Sequence, residues 1–378
     1  MRHTMGSYPT CFLVRCETQP TLLHSVTQLE LVRCLDSRGG ERAKMRTCVT
    51  GGTGFIGSAL VRRLVAKGVP VRVLARPSPR ADALEQTGVE VIRGDLRDRQ
   101  AVKRAIEDAQ VVYHTAAKVR GPGSRKEFLE TNVAGTQNVL EASITQRVTH
   151  VVYLSSIAVY GLAHAGIAIT EATESDSLGS ERSRYAQSKI EADRYAAAAG
   201  RKAEIRVTIL RPGIVWGPGE PFPLALFGFR MRNRNIVLGR RQQLFPLTYV
   251  GNLVDAIELV GRRTGGGLKS YIVLDDDELT LGAYHTALTQ AARTKTLFFP
   301  TWPVSLAALG VGAFSWLPRW GPDARGWRRE VRRALQNRRY DSQQIRRETG
   351  WAPRVDLKAA MEQTLRGFDQ LSSPGALL

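Results

Sequence analysis

Eight residues, Thr50-Gly51-Gly52-Thr53-Gly54-Phe55-Ile56-Gly57, constrain this chain more than any other stretch. They follow a short β-branched run, Arg46–Thr50, and open an amphipathic segment, Phe55–Lys67, which places the glycines on a strand–turn–helix. Gly51 suits the tight turn leaving the strand, Gly54 lets the backbone approach a phosphate, and Gly57 permits close helix–strand packing. Thr53, Phe55 and Ile56 stand at the start of the helix, whose free N–H groups and dipole attract anions. A glycine pattern alone is weak. Set between a strand and a helix, it predicts a dinucleotide pyrophosphate site.

From Arg46 onward, short β-branched runs alternate with longer amphipathic ones, the pattern of a parallel sheet wrapped by helices. Strands are expected at Arg46–Thr50, Val71–Ala75, Val89–Arg93, Val111–His114, Thr149–Leu154, Arg206–Leu210 and Tyr271–Leu274, and helices include Phe55–Lys67, Asp98–Glu107, Arg125–Thr145 and Tyr185–Ala199. Such a series folds as an α/β Rossmann doubly wound parallel sheet, with its ligand site at the carboxyl ends of the strands. After Leu210 the rhythm breaks. A turn-rich stretch, Arg211–Gly219, and the aromatic, proline-rich Pro221–Phe229 suggest a smaller C-terminal substrate-binding lobe. The expected organisation is therefore a dinucleotide-binding domain over 45–215 and a substrate lobe over 216–370, interleaved with the last strands and helices of the sheet. Met45 stands just before the first strand, and residues 1–44 have neither a period nor a secretory pattern. They read as an appended extension.

Charge narrows the partners. Lys and Arg number 54 against 35 Asp and Glu, a net +19, which favours anionic partners such as a phosphorylated cofactor or an anionic membrane surface. Arginines crowd between Arg319 and Arg347, but no zinc-finger spacing or aromatic RNA-binding pattern accompanies them, so a nucleic-acid partner is not expected. Leu297–Leu317 is nearly all apolar, yet prolines leave too few uninterrupted residues for a spanning helix, which needs about 20. Lobe core and peripheral membrane contact are both open for it. Four cysteines, at 11, 16, 34 and 48, form neither a disulfide framework nor a metal-ligand spacing. A reducing cytoplasm and no metal are expected.

Two positions bear on the dinucleotide. Arg76, after the second strand, stands where a carboxylate would bind the ribose hydroxyls of NAD; an arginine there pairs with the 2′-phosphate of NADP, so NADP is favoured over NAD. Asp95, in Gly94-Asp95-Leu96, follows the third strand and reads equally as an acceptor for the adenine amino group or as a turn aspartate.

Tyr185-Ala186-Gln187-Ser188-Lys189 puts a phenol and an ammonium four residues apart on one helical face. A free phenol titrates near 10, so as a base at neutral pH it needs a neighbouring cation, which Lys189 supplies. Tyr185 can then take a hydroxyl proton while hydride leaves for a nicotinamide, or donate one in the reverse direction. Lys189 can also bond the nicotinamide ribose. Such a pair alone is usually structural. Here the fifth strand ends in Leu154-Ser155-Ser156, which delivers hydroxyls to the same carboxyl edge, and Ser156 can hold the substrate oxygen beside Tyr185.

These residues resemble the extended short-chain dehydrogenases/reductases, the NAD-dependent epimerase/dehydratase superfamily. The likeness runs from Met45 to Asp369 and rests on Thr50–Gly57, Ala116-Ala117 after the fourth strand, Asn132–Asn138, the Ser156/Tyr185/Lys189 set and Arg211–Gly219. It implies Ser156, Tyr185 and Lys189 as the catalytic group and Asn132 in a supporting relay. It also implies cofactor contacts at Gly51–Gly57, Arg76, Asp95, Leu96, Ala116, Ala117 and Pro212, and a homodimer through the Arg125–Thr145 and Tyr185–Ala199 helices. Leu247–Asn252 and Arg339–Pro353 resemble segments of its 3β-hydroxysteroid dehydrogenase-like branch. Nucleotide-sugar epimerases usually carry an asparagine in the stretch matching Arg211–Gly219, whereas Pro212–Val215 has none. The leading expectation is an NAD(P)-dependent dehydrogenase or reductase of a secondary alcohol or ketone on a small hydrophobic, sterol- or terpenoid-like substrate. A sugar-nucleotide epimerase or dehydratase, and a non-catalytic NAD(P)-binding regulator, are the alternatives.

Overall fold

The computed structural model describes residues 46–119, 123–161, 167–175, 183–202, 205–220, 228–231, 234–292, 294–299 and 337–371. The chain divides into the units Met1–Lys44 and Met45–Leu378, and every element below belongs to the second. The N-terminal extension, most of the apolar stretch 297–317 and the arginine-rich stretch 319–336 lie outside the described residues.

Seven parallel strands form the main sheet: β1 (Thr47–Thr50), β2 (Val71–Ala75), β3 (Glu90–Arg93), β4 (Val111–His114), β5 (His150–Leu154), β6 (Arg206–Pro212) and, late in the chain, Leu268–Val273. Their order is 3-2-1-4-5-6 followed by that late strand. β1, β2, β4 and β5 are buried along their whole length. Covered by helices on both faces, they are buried without alternation, and the polar residues among them, such as Thr50, Arg72 and His114, are buried as well. Four of the helices start on side-chain caps that satisfy orphan amides. Ser78 caps α2 (Pro79–Gln86), which follows α1 (Phe55–Ala66), and Asp98 caps α3 (Arg99–Ile106). Ser124 and Ser183 cap α4 (Arg125–Leu129) and α6 (Arg184–Arg201).

The helix expected over Arg125–Thr145 is divided. A π turn over Glu130–Ala134 separates α4 from α5 (Gly135–Thr145). At the turn, the Asn132 side chain is drawn into the connection after β4, accepting from Lys118 N (2.7 Å) and donating to Lys118 O (3.0 Å).

Past β6 come a short parallel pair, β7 (Ile214–Trp216) with β10 (Leu247–Tyr249), and a three-stranded sheet of β8 (Gly228–Met231), β9 (Arg234–Leu238) and β12 (Lys295–Phe299); the late main-sheet strand is β11. With α8 (Leu281–Ala292) they enclose an aromatic core in which Tyr284 meets Trp216 and Phe245 edge-on. Asn252, on α7 (Val250–Gly261), ties this end of the chain together. Its amide donates to Asp275 Oδ1 (3.0 Å) and Val355 O (2.9 Å), and its Oδ1 accepts from Arg354 N and Val355 N. Trp351 Nε1 donates to the Asn252 carbonyl (3.2 Å). The two late segments that resembled the steroid dehydrogenase branch are thus one structural clamp, closed after α9 (Gln343–Thr349) and before α10 (Leu357–Leu371).

Candidate active site

The sheet order reverses between β1 and β4, and a doubly wound fold opens its ligand crevice at such a point. The glycine loop lies there. Gly51 has φ +77, a left-handed conformation that favours glycine, and a Cβ on it would come within 2.7 Å of Ala116 Cα. The missing side chain at Gly51 is therefore what lets the Ala116 backbone lie against the loop. A Cβ at Gly57 would fall 2.1 Å from the Gly51 carbonyl oxygen, so the helix can approach the turn only with glycine there. Gly54 differs: exposed, it would bring a Cβ only to within 3.2 Å of Gly51 O, leaving open space before it. It is also the N-cap of α1, and no side chain caps that helix. An anion lying over Gly54 would meet uncapped first-turn amides and no intervening side chain. The cradle fits a dinucleotide pyrophosphate.

Arg76 is exposed at the end of β2 and has no hydrogen bond or ion pair among the described residues. Asp95 accepts from Arg97 N (2.9 Å) and Nε (2.8 Å) at Oδ1 and from Nη2 at Oδ2 (3.1 Å), and this bonding holds its carboxyl below the ordinary range. Leu96 is buried, its carbonyl accepting from Asn138 Nδ2 (2.8 Å). Pro212 is buried at the carboxyl end of β6.

The candidate reacting groups, Ser156, Tyr185 and Lys189, converge at the end of β5. Ser156 caps a 3-10 turn, Ile157–Val159, by accepting from Ala158 N (3.1 Å), and it lies close enough to the Tyr185 phenol to act on it. Tyr185 keeps part of its surface open, yet burial around the phenol pushes it up to about 12, with Ser156 drawing it back. Ser155 points the other way, donating to Asp193 Oδ2 (2.6 Å). Of the two serines, Ser156 faces the phenol.

Lys189 is buried, one turn after Tyr185. Its Nζ donates to Leu154 O (2.7 Å) and to Tyr153 Oη (3.3 Å) and lies 4.8 Å from the Tyr153 ring centroid. Burial lowers it to about 7, against which the Asp193 charge acts. Asn132 reaches the same helix, its Nδ2 donating to Ser188 Oγ (2.8 Å), and Ser188 Oγ donates to Tyr185 O (2.8 Å). Asn132 therefore joins the connection after β4 to the Tyr–Lys helix. Its own carbonyl accepts from Thr136 Oγ1 (2.6 Å), and Thr136 also meets His114 Nε2 (2.9 Å), whose Nδ1 meets Thr50 Oγ1 (2.7 Å).

Sequence reasoning overlooked this second layer: Ser155, Asp193, Arg211, Tyr153, His114 and Thr136. Asp193 carried a signal, a carboxylate at i+4 from Lys189 on the same helical face. The others lie in strands, at the end of β5 and on α5, where their polar side chains look ordinary in sequence.

A family model described as the NAD dependent epimerase/dehydratase family matches residues 47–273. The chain belongs to this family. It is thereby an enzyme of the extended short-chain dehydrogenase/reductase type, as the motifs implied. Among curated relatives it is similar to the 4-hydroxy-2-methyl-3-oxo-4-farnesyl-3,4-dihydroquinoline-1-oxide ketoreductase of Stigmatella aurantiaca, 29% identical over 84% of this chain and 95% of that one. It is also similar to a 3 beta-hydroxysteroid dehydrogenase/Delta 5-->4-isomerase of Mycobacterium tuberculosis, 26% identical over 65% of this chain and 69% of that one. Among solved structures, the Thermus thermophilus UDP-glucose 4-epimerase complex with NAD shares the fold with a TM-score of 0.62 at 24% identity, covering 86% of this chain and 99% of that one. No described helix is long and apolar enough to cross a membrane.

Proposed function

We propose that this chain is an NAD(P)-dependent reductase or dehydrogenase acting on a ketone or secondary alcohol of a hydrophobic, sterol- or terpenoid-like molecule. The observation that carries this reading is the meeting of Ser156, the Tyr185 phenol on which it acts, and Lys189 one turn along, whose Nζ is bonded to Leu154 O at the carboxyl edge of the sheet.

Gly51–Gly57, Ala116, Ala117 and Pro212 would hold the dinucleotide, and bound there it supplies the hydride acceptor or donor. The protein's own side chains handle the oxygen and its proton. Ser156 and Tyr185 together can hold a substrate oxygen between two hydroxyls. In reduction, the phenol is protonated across the physiological range and is the proton donor to that oxygen. In oxidation it must first lose its proton, and a cationic Lys189 makes that loss easier. Asn132 orders the connection over the site through Lys118.

Two relatives support a hydrophobic substrate, one being a ketoreductase of a farnesyl compound and the other a hydroxysteroid dehydrogenase. Arg76, exposed beyond β2 with no hydrogen bond or ion pair among the described residues, supports NADP over NAD. The test is oxidation of NADPH and NADH by purified protein over a panel of steroid, terpenoid and long-chain ketones. Net cofactor oxidation with at least one of them is expected. Interconversion of UDP-sugars with no net change in cofactor would replace this reading by epimerisation.

A further inference from the structure

Asp193 lies on α6, four residues beyond Lys189 and eight beyond Tyr185, and is 2% exposed. Three elements meet on its carboxylate. The Ser155 hydroxyl donates to Oδ2 at 2.6 Å, and Arg211 donates from Nε to Oδ2 (3.0 Å) and from Nη2 to Oδ1 (2.7 Å). The remaining Arg211 nitrogen, Nη1, donates to Tyr160 Oη (2.7 Å). Each partner stands beside a group of the site. Ser155 precedes Ser156, Arg211 precedes Pro212, and Tyr160 closes the turn that Ser156 caps. A buried ion pair contributes little net stability over a well-packed apolar replacement, so stability alone accounts poorly for this one.

We propose that Asp193 is a positioning residue of the site: with Arg211 it locks the ends of β5 and β6 to the Tyr–Lys helix, and it supplies the counter-charge for Lys189. The inference rests on the reading of Tyr185 and Lys189 as the reacting pair. From β5, Lys189 faces the neutral Tyr153 phenol and the Leu154 carbonyl. From β4 it faces His114, held neutral by burial. Its own helix offers Tyr185, neutral at pH 7, and Asp193; β6 offers Arg211, already bonded to that carboxylate. Asp193 is the one anion acting on Lys189 among the described residues. With both carboxylate oxygens taken by Arg211 and Ser155, it acts on the ammonium through space, across one helical turn. Ser155 and Arg211 thus fix the place of the charge, and the charge opposes the desolvation of Lys189.

The test reads Lys189 directly. Full-length protein labelled with 13C at lysine Cε is titrated by NMR without cofactor or substrate, the Lys189 resonance being assigned by its loss in Lys189→Arg. Asp193→Asn is expected to lower the Lys189 midpoint by about one pH unit, a tenfold change in its ionisation. Asp193→Glu should bring it back toward the original value. Because Asp193→Asn leaves Arg211 unpaired in the core, the double variant Asp193→Asn/Arg211→Met, which removes both charges, is measured beside it and should shift in the same direction. A folded double variant with the original midpoint would overturn the proposal. A shifted midpoint with no ketone turned over would instead leave the counter-charge standing and remove the reductase reading.

Discussion

Replacing Gly54 and Gly57 separately by alanine should split the loop's two tasks. At Gly57 the new Cβ would lie 2.1 Å from Gly51 O, 2.7 Å from Gly51 C and 2.8 Å from Thr115 Oγ1. Two of those atoms are backbone, so the turn itself must move. Overpacking of this kind costs about 1–3 kcal/mol, and each kcal/mol lowers Tm by about 2–4 °C in a large domain, which gives a fall of roughly 2–12 °C. At Gly54 the backbone has φ −81 and ψ 172, open to any residue, and the Cβ meets only Gly51 O at 3.2 Å. Loss of chain freedom in the unfolded state and loss of the preferred N-cap residue oppose each other there, so stability should change by no more than about 0.5 kcal/mol. The methyl group would nevertheless occupy the space before the first-turn amides. Cofactor affinity should then fall at least about tenfold, equivalent to about 1.4 kcal/mol. Differential scanning fluorimetry and fluorescence titration with NADPH read the two effects. An unchanged Tm for Gly57→Ala would refute the packing argument. Undiminished cofactor affinity for Gly54→Ala would refute the cradle.

Arg76→Glu should reverse the cofactor preference, weakening NADPH binding relative to NADH in parallel titrations; an unchanged ratio would take Arg76 out of the site. Asn252→Ala strips partners from Asp275, which burial already pushes up to about 7, and from the Arg354 and Val355 backbone. It should cost about 1–3 kcal/mol in urea unfolding, the range for a buried polar group such as the Asp275 carboxyl that loses a partner. Burial foremost, with the Lys189 charge, lowers His114 from 6.5 to about 3, so the fold holds the ring neutral. Its contribution is fully present above pH 6.5 and drains away as pH falls toward 3, by up to about 1.4 kcal/mol per unit. His114→Gln should therefore flatten the acid side of the stability curve; an equally steep curve would count against a buried neutral ring.

The Rossmann half was legible because each of its elements carries a local signal. Val71–Ala75 and Val111–His114 stand where their β-branched runs placed them. β11 begins at Leu268, ahead of the run at Tyr271, because Lys269 and Ser270 join the ladder at a sheet edge where polar side chains are tolerated. The π turn at Glu130–Ala134 was not legible, since it arises from a long-range bond between Asn132 and Lys118. Beyond Pro212 the strands outside the main sheet are short and owe their form to partners distant in sequence, as when Leu247–Tyr249 pairs with Ile214–Trp216. At the site, Tyr185, Lys189 and Ser156 were readable from spacing and strand position. Arg211 was not: its neighbours Pro212 and Gly213 mark a turn, and only the fold shows its guanidinium buried against Asp193.

The central claim is that the Tyr185 hydroxyl transfers the substrate proton, and steady-state turnover of Tyr185→Phe tests it most directly. The variant keeps the ring and its packing, so NADPH should bind as in the unaltered protein. With a ketone that the unaltered protein reduces, kcat should fall by at least about 100-fold, the lower end of what general acid–base catalysis contributes. Full kcat in the variant would contradict the mechanism.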